Sequence, residues 1–361
     1  MNISFLFSNV IILDLILYAL IFFILVLIAI SLLLIGVRLI TSYKSSIHIK
    51  FLYEWEPKLF AFLESDIPPN EFLFKLKTDR VSNFLVLIRN YLNLLTGHDF
   101  DRLKSLLKSD KIISYFEDSL KKGKTRNTVE AIYYLGIFKN PSYNTVVEKY
   151  LHANDDEIYS HSARSLARMD ANEYIHDILR LWPSHQKVSR DTLYSILIEF
   201  QVESCIVMHE ILGKTSDNKI RTIILAALTH FQYSDATDIA LEYFSQSDDQ
   251  ELLIQSMKYF EELEFREASN ELIKIFSNSS PELISQAIKT AVKISNPKLE
   301  KILFDKVSNF NWQNKIDTIN ALYEMSIESR EKLIELSKNP NCPEETSIAK
   351  MVISERELIE S

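Results

Sequence analysis

Histidine side chains are the first groups with which this sequence could bind a metal or exchange a proton. Four of the eight histidines fall within one region, at His152, His161, His176 and His185. None has the i, i+4 spacing with a carboxylate that places two imidazoles on one face of a helix to bind zinc. We therefore expect surface positions for these histidines and no metal site. His209 falls where a core aliphatic residue is expected, so it is either a buried histidine or is displaced by one residue, with Met208 in the core.

Nucleophiles and phosphate-binding loops give no stronger signal. Cys205 and Cys342 lie far apart and form no CxxC pair, which argues against a disulfide scaffold or a thiolate zinc site and fits a reducing compartment. No GxSxG motif occurs, and the five glycines are too widely separated for a Walker or dinucleotide-binding loop. The sequence predicts no catalytic, cofactor-binding or metal-binding residues, and we expect a protein that is not an enzyme.

A single basic cluster lies in the segment "KKGKTR", at Lys121, Lys122, Lys124 and Arg126. It is either a solvated loop or a contact for anionic lipid headgroups or an acidic partner. The rest of the chain after it is acidic: residues 126–361 carry 25 basic and 37 acidic side chains, against 15 and 12 in residues 1–125. Since nucleic-acid binding depends on clustered Lys and Arg that face phosphates, we expect no nucleic-acid partner.

The N-terminal region of the sequence, before the basic cluster, contains a long apolar segment. Residues 15–37, "LILYALIFFILVLIAISLLLIGV", contain no charge, and at about 1.5 Å per residue a helix of this length covers a hydrocarbon layer of about 30 Å. A cleaved signal peptide is disfavoured because no basic region precedes the segment. No Lys or Arg precedes it, whereas Arg38, Lys44, Lys50 and Lys58 follow. We therefore expect a single-pass protein of the inner membrane, with the N-terminus outside and the C-terminal region cytoplasmic.

An internal repeat of about 31 residues follows. The first apolar column contains Leu135, Leu166, Leu197, Leu228, Phe260, Ala291, Leu322 and Val352. The second, three residues earlier, contains Ile132, Ala163, Tyr194, Leu225, Met257, Ile288, Ile319 and Ala349. About twelve residues after the first column, a second helix supplies Val147, Ile178, Ala240, Leu272, Leu303 and Ile334. Each unit thus consists of two helices, neither of which can bury its apolar side alone.

Helix starts and helix contacts can be placed within the repeat. Pro141, Pro281, Pro297 and Pro343 each follow a residue suited to the N-cap, which predicts helix starts there. In the segment "SHSARSLARMD" small side chains occupy positions 162, 163, 165 and 167. We interpret this segment as a surface on which the next helix packs closely.

The segment 157–182, "EIYSHSARSLARMDANEYIHDILRLW", resembles a HEAT repeat of the short bacterial type that is also found in bilin lyases. The Ile220-Arg221 pair stands where such repeats often have Val-Arg. The resemblance covers about residues 126–361. It implies an all-α protein with a HEAT-like α-solenoid of about seven to eight two-helix repeats. The off-period helical pattern of residues 44–125 and the apolar segment 15–37 add an N-terminal helical cap and one transmembrane helix. The domains would be residues 1–43 with the span, a juxtamembrane cap at 44–125, and the solenoid at 126–361.

The layout of anchor, aromatic "YEWEP" segment and short HEAT units is similar to that of bacterial membrane-tethered HEAT proteins associated with glycosyltransferases in envelope polysaccharide production. This resemblance implies a membrane-anchored cytoplasmic scaffold or adaptor that binds a protein partner, such as a membrane glycosyltransferase or another envelope-assembly complex. Two alternatives stay open: a lyase or isomerase similar to the HEAT-type bilin lyases, and a carrier of lipid or envelope precursors.

Overall fold

The computed structural model describes residues 3–92, 94–339 and 342–360. Throughout these ranges the chain forms helices joined by short loops and 3-10 turns, with no strand, which confirms the predicted all-α class. The chain divides into two compact units, Met1–Asp118 and Ser119–Ser361.

The first unit is built on one very long helix. Its elements are α1 (Ile3–Leu63), α2 (Pro69–Phe72), α3 (Val81–Leu92), α4 (Gly97–Leu107) and most of α5 (Asp110–Lys122). α1 runs for 61 residues, across the predicted domain boundary at 43/44. Phe51, Trp55 and Leu59 are buried at intervals of four residues, so they share one face of α1. α1 packs on α3 and α4, and it ends at Leu63, before Pro68 and Pro69.

Exposed apolar side chains cover residues 22–37 of α1. The large aliphatic and aromatic residues there are 37% to 65% exposed. Of the predicted span 15–37, the side chains of residues 15–21 lie outside those that the structure describes. A search of the described part of the chain finds no helix with the length and apolar character needed to cross a bilayer.

The second unit consists of helix pairs. The even helices are α6 (Thr125–Phe138), α8 (Asp156–Arg168), α10 (Arg190–Leu197), α12 (Asn218–His230), α14 (Gln250–Glu262), α16 (Pro281–Ile294), α18 (Trp312–Met325) and α20 (Pro343–Glu360). The odd helices are α7 (Asn144–Glu148), α9 (Ile175–Leu181), α11 (Ser204–Lys214), α13 (Thr237–Gln246), α15 (Ser269–Asn278), α17 (Pro297–Lys306) and α19 (Ile327–Leu336). Consecutive even helices begin 28 to 34 residues apart, and each packs against the next, from α6 on α8 to α18 on α20.

The predicted apolar columns form the core of these pairs. All eight residues of the Leu166 column are at most 1% exposed. In the second column all residues are buried except Tyr194, which is partly exposed. In the odd helices Met208 is buried and His209 is only partly buried, which confirms the alternative of a one-residue displacement. The expectation is wrong at Ile334, which is 42% exposed, because Leu333 is buried in its place.

Local polar contacts set where the even helices begin. Side chains at the N-cap accept a hydrogen bond from a backbone N–H of the first turn at Asp155, Ser189, Asp217, Asp249, Ser280 and Asn311. Such caps satisfy N–H groups that have no partner within the helix. Asn140, Ser280 and Asn296 cap the helical segments that begin at Pro141, Pro281 and Pro297, which confirms three of the predicted helix starts.

The ends of five even helices share an unusual backbone conformation. Positive φ angles between 47° and 55° occur at five residues that follow these helices: Lys139, Asp170, Gln232, Glu264 and Ser295. In three of these turns a backbone N–H one residue further on bonds back to the helix, as Ala171 N does to Leu166 O at 3.1 Å. This pattern is that of a Schellman cap, in which glycine is the residue with the least strain. The chain therefore reverses between paired helices without glycine.

Candidate functional site

The predicted basic cluster lies in the turn between α5 and α6. Lys121 and Lys122 occupy the last turn of α5, Lys124 precedes the first residue of α6, and Arg126 lies in the first turn of α6. All four side chains are exposed. We call this group the basic turn.

Backbone geometry fixes the basic turn. Gly123 has a φ of 63°, a conformation that costs other residues strain, so a left-handed position joins Lys121 and Lys122 to Lys124 and Arg126. The Lys124 carbonyl accepts hydrogen bonds from the N–H groups of Asn127 at 2.9 Å and Thr128 at 3.0 Å. Four cations in six residues can attract an anionic surface.

His185 is not at the surface, so the expectation is wrong for this histidine. It is 6% exposed, and its Nδ1 lies 2.9 Å from Asp156 Oδ1. Its ring stacks on Tyr159 at a centroid distance of 4.0 Å and an interplanar angle of 10°. The sequence does not show this contact because Asp156 precedes His185 by 29 residues. The other three of the group, His152, His161 and His176, are exposed or partly exposed.

Of the two cysteines, Cys205 is placed as a structural rather than a reactive group, and Cys342 is partly exposed. Cys205 is fully buried, and burial raises the pKa of its thiol to about 11. Because the thiolate is the nucleophilic form, this shift leaves Cys205 unreactive at neutral pH. Within the described residues no group of three or more His, Cys, Asp or Glu side chains is arranged to hold a metal ion.

A groove across α10, α12 and α14 is the surface that sequence reasoning missed. It has a volume of about 610 Å³. Its lining includes two basic residues, two acidic residues, a tyrosine and a histidine: Arg190, Lys258, Asp191, Glu262, Tyr194 and His230. We call it the even-helix groove. The signal in the sequence is Tyr194, since it belongs to the apolar column by position yet is only partly buried.

Contacts between repeats, including one that joins α10 to α14, hold the walls of the groove in place. Arg190 forms an ion pair with Glu251, and Gln255 Nε2 donates to Thr229 Oγ1 at 3.2 Å. Gln232 Nε2 donates to Glu262 Oε1 at 2.7 Å. An aromatic hydroxyl, cations and carboxylates around a shallow apolar floor form a surface suited to a polypeptide rather than to a polyanion.

In comparisons with known proteins, no family model matches this chain and no curated protein matches it.

Proposed function

We propose that this protein is a membrane-anchored cytoplasmic scaffold, in which residues 15–37 of α1 span the bilayer and the helix pairs form a HEAT-like α-solenoid that binds a protein partner. The observation that carries the proposal is the exposed apolar segment 22–37 on the same chain as a stack of helix pairs.

The anchor is supported by exposure and composition together. A contiguous apolar patch of this kind on a soluble protein marks a surface that another apolar phase covers. Here the large side chains at 22–37 project around α1 and are all at least 37% exposed, so no single partner face accounts for them. A bilayer surrounds a helix on every side, and the uncharged segment that extends back to Leu15 is long enough for it.

A protein partner is supported by the even-helix groove. Its charges are mixed, with Arg190 and Lys258 against Asp191 and Glu262. Tyr and Arg are enriched at protein interfaces, and the groove presents both. By resemblance, the partner is a membrane glycosyltransferase or another envelope-assembly complex. The basic turn would then bring Lys121, Lys122, Lys124 and Arg126 to anionic headgroups or to an acidic surface of that partner.

Site-specific photocross-linking in the cell tests the partner surface. A photoreactive amino acid is placed at His230, which lines the groove, and at Lys274 on α15, which is exposed and outside it. We expect a cross-linked membrane protein from position 230 and none from position 274. Equal cross-linking from both positions contradicts the assignment of the groove.

The anchor is tested by replacement. A chain whose residues 1–40 are exchanged for an unrelated single-span helix of the same orientation should restore the function lost in a deletion strain, because the anchor acts by raising the local concentration of the partner. Full complementation without any anchor, or turnover of a small molecule by the purified full-length protein, favours the lyase or carrier alternatives instead.

A further inference from the structure

A second cavity lies in the first unit, where α1 meets the two 3-10 turns that follow α2. Its volume is about 330 Å³, near the lower limit of about 300–1,000 Å³ for small-molecule sites. Four cations line it, from α1 and from the turns Leu73–Lys75 and Thr78–Arg80: Lys50, Lys75, Lys77 and Arg80. We call it the tetracationic pocket.

The charge of this pocket is only partly neutralised by its own surroundings, since Arg80 Nε lies 3.8 Å from Asp79 Oδ2. Among the described residues, Lys50, Lys75 and Lys77 have no ion pair with a carboxylate. Glu54, the one acidic residue of the lining, is paired with Lys58 at 2.8 Å. Like charges that converge on one cavity repel each other, so an anion that occupies the cavity relieves an unfavourable arrangement.

The floor and the backbone of the pocket are rigid. Phe51 and Trp55 are 5% exposed and stack with centroids 5.8 Å apart at 16°. Lys111 Nζ donates to the carbonyls of Leu73 at 2.8 Å, Phe74 at 3.1 Å and Leu76 at 2.7 Å. The half-buried ammonium of Lys111 thus holds the segment from which Lys75 projects, and a preorganised site loses less entropy on binding.

We propose that the tetracationic pocket binds a phosphate-bearing organic anion. Lysine ammonium groups act as point charges that suit phosphate oxygens, and the aromatic floor suits an apolar substituent on the phosphate. The same chemistry is found in a lipid headgroup and in a soluble organic phosphate. The proposal does not depend on the scaffold function, since none of its residues lies in the even-helix groove or the basic turn.

Isothermal titration calorimetry on the detergent-solubilised full-length protein, with inorganic pyrophosphate and phenyl phosphate as probes, tests the proposal. We expect saturable binding of both at 50 mM salt, weakened at 200 mM salt because the attraction between charges is screened. The double variant Lys75→Glu with Lys77→Glu should weaken binding by a factor on the order of ten or more. The double variant Lys298→Glu with Lys301→Glu, which makes the same charge change on exposed residues of α17, should bind as the wild type does.

Two further arms decide the source of the ligand and guard against misfolding. The ligand is a lipid headgroup if nanodiscs that contain phosphatidylglycerol compete with pyrophosphate for the pocket and nanodiscs of phosphatidylcholine do not. The ligand is a soluble phosphate if neither kind of nanodisc competes. If circular dichroism shows that the double variant has lost helical structure, the single variant Lys50→Glu, on the opposite wall of the pocket, is used in its place. Absence of saturable binding in the wild type, or equal binding in the pocket and control variants, overturns the proposal.

Discussion

The backbones of α6 and α8 touch at Gly136 and Ser165. A Cβ added to Gly136 would lie 2.8 Å from Ser165 Cα and 2.7 Å from Ser165 Oγ. The Ser165 hydroxyl donates at 2.7 Å to the carbonyl of Ile132, one turn before Gly136. Ser165, one of the small residues of the segment 162–167, therefore serves a close helix contact, and it makes this contact with the preceding helix α6 rather than with the next helix.

Replacing Gly136 by alanine should destabilise the second unit by about 1–3 kcal/mol, because the new methyl group meets backbone that cannot move aside. Alanine's better helix propensity offsets only about 1 kcal/mol. Gly213→Ala on α11 is the matched control, since its Cβ would meet only Ile239 Cδ1, at 3.4 Å. Urea unfolding followed by circular dichroism compares the two variants. Gly213→Ala should raise the urea midpoint, because alanine has the better helix propensity. If Gly136→Ala also raises the midpoint, α6 and α8 do not approach each other as closely as the structure shows.

Glycine at a left-handed helix end should stabilise the protein. Glu264 has a φ of 50° and an exposed side chain, so Glu264→Gly removes strain without removing a buried contact. After the greater freedom of glycine in the unfolded chain is counted, we expect a gain of about 0.5 kcal/mol. Lys258→Gly, within α14, should instead cost about 1 kcal/mol. Thermal unfolding of both variants tests whether Glu264 has the left-handed backbone conformation. A lower unfolding temperature for Glu264→Gly than for the wild type contradicts it.

Acid should weaken the contact between α18 and α20. Lys315 Nζ lies 2.8 Å from Glu345 Oε1, both side chains are buried, and this hydrogen bond holds the pKa of Glu345 below its usual value. A carboxyl whose pKa is lower in the folded state stabilises the fold above its unfolded pKa of about 4.3, and this stabilisation is lost as the pH falls through the folded value. The pKa of Lys315 is raised, chiefly by its hydrogen bond to Glu344, so its contribution is lost only as the pH rises through that folded value.

Urea midpoints measured between pH 6 and pH 3 test this linkage. Glu345→Gln should be less stable at pH 6 and should show a shallower decline on acidification, because its amide cannot be protonated there. Glu331→Gln, exposed on α19, should follow the wild-type profile. A profile of Glu345→Gln parallel to the wild type means that the buried pair is not the source of the pH dependence.

The proposed anchor fixes the side of the membrane on which the helix pairs lie. A phosphatase reporter fused after Ser361 should be inactive and a cytoplasmic fluorescent reporter active, because Arg38, Lys44 and Lys50 all follow the span. Adding three lysines before Leu15 should lower the fraction with this orientation. Phosphatase activity in the unmodified fusion reverses the proposed topology.

The repeat could be predicted from the sequence because its apolar columns recur at a nearly constant interval, and burial of an aliphatic side chain depends mainly on its position in that interval. The error at Ile334 is a shift of one residue: Leu333 and Ile334 are both apolar, so composition alone does not decide which of them is buried. At His209 the same shift could be foreseen, because apolar Met208 stands beside a polar residue. The burial of His185 and the even-helix groove depend on side chains that are one to two repeats apart and face each other only after folding.

The shared left-handed ends have an evolutionary consequence. Lysine, aspartate, glutamine, glutamate and serine all adopt nearly the same φ after five of the even helices, at positions one or two repeats apart. The reversal is therefore specified by the backbone and the neighbouring helices rather than by one type of residue. An in-frame duplication or loss of one helix pair would recreate the same junction with whichever pair comes next. The gene can therefore change length in whole modules, and homologous chains are expected to differ in steps of one helix pair rather than by scattered insertions.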